Sequence, residues 1–103
     1  MKKVESQMNQ AIRAKKNWSA ANTMVRYSPI RDASEVYLHG NLISIIHGDQ
    51  VQLMDGGRQS NTTKSRLNAI LSEFSDDRVY AKNFTWYVGT GSASVPFSSG
   101  MIL

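Results

Sequence analysis

The sequence predicts a small single α+β domain: an antiparallel sheet of about four to five strands with two helices, in the order α-β-β-β-α-β. Three observations lead there. Leu67, Ile70, Leu71 and Phe74 recur at i, i+3, i+4 and i+7, the spacing of one buried helical stripe. Val4, Met8, Ala11 and Ile12 repeat that helical spacing near the start of the chain. Between and after these stretches the apolar residues alternate, as they do in strands with one buried face. A length of 103 residues suits one domain spanning 1–103, and a hydrophobic fraction of 41% is enough for a core rather than a disordered chain.

In chain order, residues 1–18 form an N-terminal helical region, with the helix itself expected over 3–17. Lys2, Asn9, Arg13 and Lys16 line up beside its apolar face, with Glu5 among them. Lys15 falls at the edge of the stripe, so it must snorkel or the helix must fray there. Residues 22–54 read as a strand meander. Its first strand is 22–28, with Val25 and Tyr27 on one face and Pro29 at its end. At Gly40-Asn41 two readings compete: a Gly-led two-residue hairpin, or one long strand with a bulge. Gly48-Asp49 is a further Gly-led turn, and Asp55-Gly56-Gly57 closes the meander.

The core helix is expected over 62–75. Ser60, Asn61, Thr62 and Thr63 precede the stripe, and each can accept a hydrogen bond from a free N–H of the first turn. Residues 78–88 read as one long strand with Phe84, Trp86 and Val88 on its core face. Val79 and Ala81 have the opposite parity, which a bulge near Lys82-Asn83 would reconcile. Residues 89–103 read as a flexible tail, in which Val95-Pro-Phe97 and Met101-Ile-Leu103 offer a final edge strand.

Charge is unevenly spread. Residues 1–31 hold seven Lys or Arg and one Glu, whereas 32–103 hold five against seven Asp or Glu. The basic character therefore belongs to the N-terminal third, a hint of an acidic partner such as nucleic acid. Chemistry is harder to find. There is no cysteine, which removes disulfides and thiolate chemistry. His39 and His47 have no recognised ligand spacing, so neither a metal nor another cofactor is expected. No Gly-x-Ser-x-Gly elbow or phosphate loop is present, and the expectation is a protein that is not an enzyme. No apolar run approaches the roughly 20 residues that span a bilayer.

Three segments together resemble a family of small phage- and plasmid-encoded proteins with no established activity. They are Glu35-Val-Tyr-Leu-His-Gly-Asn-Leu-Ile43, Asn61-Thr-Thr-Lys-Ser-Arg-Leu-Asn-Ala-Ile-Leu71 and Lys82-Asn-Phe-Thr-Trp-Tyr87. The resemblance implies a mobile-element setting in the cytoplasm of a host bacterial cell, and it transfers no functional residue. Two functions fit. In one, a nucleic-acid-binding accessory protein meets phosphates with Lys2, Arg13, Lys16, Arg58, Lys64 and Arg66 on a basic helix face, helped by Thr62 and Thr63. On the last strand, Tyr87 could also stack on a base. In the other, the protein is an inhibitor or adaptor of a host protein, such as a defence-system component. Monomer and homodimer both remain open.

Overall fold

The computed structural model describes residues 1–90 and 93–103. The two helices are α1 (Lys3–Ala14) and α2 (Asn61–Phe74). Five strands lie between them: β1 (Trp18–Ala20), β2 (Thr23–Ser28), β3 (Ala33–Leu38), β4 (Asn41–His47) and β5 (Gln50–Leu53). Four follow α2: β6 (Arg78–Lys82), β7 (Thr85–Thr90), β8 (Ala93–Pro96) and β9 (Met101–Ile102). The α+β class is as expected, but the described strands form two antiparallel sheets, not one. The larger has the order β1-β2-β3-β4-β5-β9 and the smaller β6-β7-β8. The radius of gyration, 12.8 Å, is close to the ~13 Å of a single compact domain of this length, so the two sheets share one body.

Both helices cover one face of the large sheet. Val25, Val36, Leu38, Ile43, Ile46, Val51 and Leu53 are buried there against Met8, Ala11 and Ile12 of α1 and Leu67, Ile70 and Leu71 of α2. The opposite face holds Met24, Arg26, Glu35, Tyr37, Leu42, Ile45, Gln52 and Ile102, which strand pairing sets side by side.

Of the two readings at Gly40-Asn41 the hairpin is met, and the single long strand through Gly40 is not, because the chain reverses there. The hairpin exists but sits one residue earlier, at His39-Gly40, both with positive φ (51° and 78°), and Leu38 pairs with Asn41. This is the primed turn geometry that matches strand twist. A register shift follows between Val36 and Tyr37, so that Ile43 is the extra residue in β4. Ile43 and Ser44 can therefore both be buried on adjacent positions.

Several expected boundaries change for identifiable reasons. Helix α1 ends at Ala14 rather than 17, because Lys15 turns left-handed (φ 55°). Its N–H and that of Lys16 bond back to Ile12 and Ala11. That exit keeps the Lys15 charge out of the core, and its ammonium pairs with Asp32 at 2.9 Å. The long strand expected over 78–88 is instead a hairpin. Asn83 (φ 52°) and Phe84 (φ 66°) form its two-residue turn, with Lys82 paired to Thr85. This turn, rather than a bulge, reconciles the two parities, and Phe84 lies fully exposed at the tip instead of in the core. The tail is tied to both sheets: Phe97 N–H donates to Trp86 O, and Leu103 N–H to Val51 O, each at 2.9 Å. In the stretch 89–94 expected to be a flexible loop, Gly89 and Thr90 belong to β7 and Ala93 and Ser94 to β8; Gly91 and Ser92 lie outside the described residues. Gly89 is required by close approach, since a Cβ there would stand 2.2 Å from the carbonyl oxygen of Ala93.

Beyond the apolar packing of Val79, Trp86 and Val88, one polar side chain links the small sheet to α2. The Asn68 carboxamide donates to Val79 O (2.9 Å) and accepts from Val79 N–H (2.7 Å), imitating a neighbouring strand at the edge of β6. Removing it leaves both backbone groups of a buried residue unpaired. Asn68→Ala is expected to cost about 1–3 kcal/mol, with faster amide exchange at Val79 while the β2–β3 amides keep their protection. Unchanged exchange at Val79 would show that packing alone holds the small sheet.

Candidate functional site

The two helices run parallel, and their contacts keep a constant offset. Glu5 meets Ser65 and Arg66, Asn9 Nδ2 donates to Ala69 O at 2.9 Å, and Arg13 pairs with Glu73. Parallel packing puts both helix N-termini, the positive ends of their dipoles, at the same end of the molecule. Helix α1 begins after Lys2. Helix α2 begins after Ser60, whose hydroxyl accepts from Thr63 N–H at 3.1 Å.

This arrangement divides the eight residues expected to contact phosphate. Lys2, Thr62 and Lys64 belong to the shared N-terminal end, and Arg58 to the segment leading into α2. Arg58, Thr62 and Thr63 also line a cleft of about 380 Å³, with His39, Asn41, Asp55, Gly56 and Ser60 among the other walls. Arg13 and Lys16 lie at the opposite end of α1; ten residues of helix separate Lys2 from Arg13, a rise of roughly 16 Å. Arg13 is already paired with Glu73. Thr63 is buried, its hydroxyl engaged with Ser60 and Arg58 O.

Arg66 is the clearest correction, because it is buried between the helices rather than displayed on a basic face. Its side chain is 6% exposed and that of its partner Glu5 5%. Arg66 Nη1 donates to Glu5 Oε2 at 2.9 Å, Nε to Thr23 Oγ1 at 3.0 Å and Nη2 to Asn22 Oδ1 at 3.2 Å. Glu5 Oε2 also accepts from Ser65 Oγ at 2.6 Å, and Oε1 from Lys2 N–H at 3.3 Å. Burial pushes the Glu5 carboxyl up. The hydrogen bonds from Ser65, Arg66 and Lys2, with the guanidinium charge, outweigh that and hold it below its ordinary range. A guanidinium committed to three oxygen-bearing neighbours in the core has no reach to a phosphate in solvent. Helical periodicity placed Arg66 on a flank of the stripe; only the neighbouring helix decides that this flank is interior.

A second group was legible only in part: Tyr87 was expected to be able to stack on a base, but its pairing with Tyr80 and the exposure of Phe84 were not expected. On the outer face of the small sheet, Tyr80 and Tyr87 stack with centroids 5.7 Å apart. Arg78 and Lys82 share that face by strand alternation, and Phe84 caps the hairpin. The signal was the run of aromatic residues with Lys82; the expected long strand assigned Phe84 to the core and so hid it. Beside the C-terminal end of α1, Asp32 is held below its ordinary range by hydrogen bonds from the Tyr27 hydroxyl and then Lys15. Among the described residues, no three His, Asp or Glu side chains gather closely enough to hold a metal ion. No helix among them is long and apolar enough to cross a membrane.

The fold and these surfaces define a small α+β protein with a buried ionic link between parallel helices and two outward cationic regions. A family model described as Kyanoviridae Gp96 protein matches residues 1–103, and the chain belongs to that phage protein family. The match agrees with the expected phage setting. Comparison with curated proteins and with solved structures gave no match.

Proposed function

We propose that this phage protein is a non-enzymatic accessory protein that binds nucleic acid in the host cytoplasm. The observation that carries the reading is the parallel packing of α1 and α2. It gathers two positive dipole ends with Lys2 and Lys64, and Arg58 enters α2 at the same end. None of the three cations pairs with a carboxylate among the described residues. Thr62 adds a hydroxyl beside Arg58 in the cleft. The contact set is thus Lys2, Arg58, Thr62 and Lys64 at one end, in place of a stripe along a helix.

The reading predicts binding that weakens steeply with salt. Each phosphate contact contributes about 0.7 to single-strand and about 0.9 to duplex slopes of log K against log salt. The triple variant Lys2→Glu, Arg58→Glu, Lys64→Glu is expected to flatten the slope by roughly 2–3 and to leave the melting temperature nearly unchanged. Absence of binding to single- and double-stranded DNA and RNA at low salt would sink the reading.

A second reading is favoured by the uncovered face of the large sheet. Met24, Tyr37, Leu42 and Ile45 are only half-buried there, and Ile102 is exposed. Such a face suits an inhibitor or adaptor of a host protein. It predicts nuclease-resistant co-purification of one bacterial protein, lost on Ile45→Glu.

A further inference from the structure

We infer that the outer face of the small sheet is a stacking platform for unpaired bases, making the nucleic acid bound a single strand. The inference rests on the nucleic-acid reading and uses a different surface from the helix end. Its centre is Phe84. The side chain is 102% exposed relative to its reference, so it packs against nothing in the protein. Its backbone is left-handed at φ 66°, a conformation that is an outlier for a bulky residue. The turn type, with Asn83 at φ 52°, is the one in which Asn-Gly is strongly preferred. Phenylalanine here worsens both the backbone and the solvation of the folded protein. Strained, exposed positions of this kind cluster where a partner is engaged.

The surroundings of Phe84 define the partner. Tyr80 is 37% exposed, and its ring lies nearly parallel to that of Tyr87, with 23° between the planes. Arg78, Tyr80 and Lys82 alternate outward along β6, about 6.6–6.8 Å apart, opposite Gly89, Tyr87 and Thr85 of β7. From Arg78 to Leu103 the chain contains no Asp or Glu. The face therefore offers aromatic planes and two cations with no carboxylate of its own strands to repel a phosphate. Aromatic planes interleaved with cations are the recognition chemistry of single-stranded nucleic acid, because every base has a stackable face. A duplex keeps its bases stacked on one another and offers Phe84 none. A protein partner would be served by the apolar tip but gives no reason for the two cations, Arg78 and Lys82, that share the aromatic face.

Phe84→Gly is a clean test, because it installs the residue the turn prefers and cannot harm the fold through the backbone. The melting temperature should hold or rise. Affinity for a fluorescent oligothymidylate of about 16 nucleotides should fall roughly 5- to 150-fold, the equivalent of about 1–3 kcal/mol of lost stacking. Tyr80→Ala should weaken it in the same direction, and wild type should prefer the single strand to a duplex of equal length. Oligonucleotide binding that is unchanged in Phe84→Gly, or a duplex preference in wild type, overturns the platform while leaving the helix-end reading standing. Absence of all nucleic-acid binding overturns both. Phe84-dependent, nuclease-resistant capture of a bacterial protein, with no oligonucleotide bound, would reassign the tip to protein docking.

Discussion

Arg66→Ala is expected to destabilise the fold by about 3–5 kcal/mol, the cost of leaving a buried charge without its partner. For a chain this size that corresponds to a fall in melting temperature of about 12 °C or more. The size follows from what is stranded: the Glu5 carboxylate stays in the helix interface, and Thr23 and Asn22 each lose a donor. Removing both charges should be milder. Glu5→Leu with Arg66→Met replaces the pair by apolar groups, and buried pairs so replaced are often near neutral. Recovery should be incomplete here, because Ser65 Oγ would lose its acceptor. A loss below about 1 kcal/mol in Arg66→Ala would mean that water reaches the pair and that the helices are held by apolar packing alone.

The same pair sets an acid limit. The folded carboxyl of Glu5 lies below its ordinary value of 4.5. Its contribution is therefore fully present above that value and is lost as the pH falls through the lower, folded one. In Arg66→Ala the lowering influence of the guanidinium is gone and burial dominates, so protonation should relieve the site. The stability gap between wild type and variant should then shrink on acidification below pH 4.5. Urea midpoints across that range would show it, and a constant gap would contradict it.

Trp86→Ala is expected to cost about 3–5 kcal/mol, in the range of buried aromatic truncations. Trp86 is 6% exposed and meets Phe97 edge-on at a centroid distance of 5.4 Å. It belongs to the same apolar cluster as Leu67, Ile70 and Leu71 of α2. Its backbone carbonyl also accepts from Phe97 N–H, so one residue ties together β7, the tail and the core. Denaturant unfolding should remain a single transition at a lower midpoint. If the variant instead unfolds in two steps, or loses less than about 1 kcal/mol, the small sheet is a separately folding unit rather than part of the common core.

These two residues mark how far the sequence could be read. The α2 stripe was plain because helical periodicity is local, and the expected cap residue was among the four hydroxyl and amide side chains before it. Arg66 and Glu5 sit on flanks of two such stripes, 61 residues apart, and nothing local to either says that the flanks meet. The Asn68 bond to Val79 is of the same non-local kind. Trp86 and Val88 were expected in the core correctly, whereas Phe84 was not, because an aromatic between Asn and Thr has strand propensity and the turn overrides it. Strand β1, of three residues, is too short to alternate visibly, whereas β9 falls within Met101-Ile-Leu103, where a final edge strand was expected, and lies at the edge of the large sheet.

The sequence by itself determined the α+β class, both helices, the meander between them and the basic N-terminal third, because each depends on spacing or count along the chain. Only the tertiary structure decided which cations remain at the surface, that the strands divide into two sheets, and that Phe84 points into solvent. Those outcomes depend on which helix flank or turn meets another part of the molecule. Burial of a charge or exposure of a ring is a property of that meeting and not of the residue.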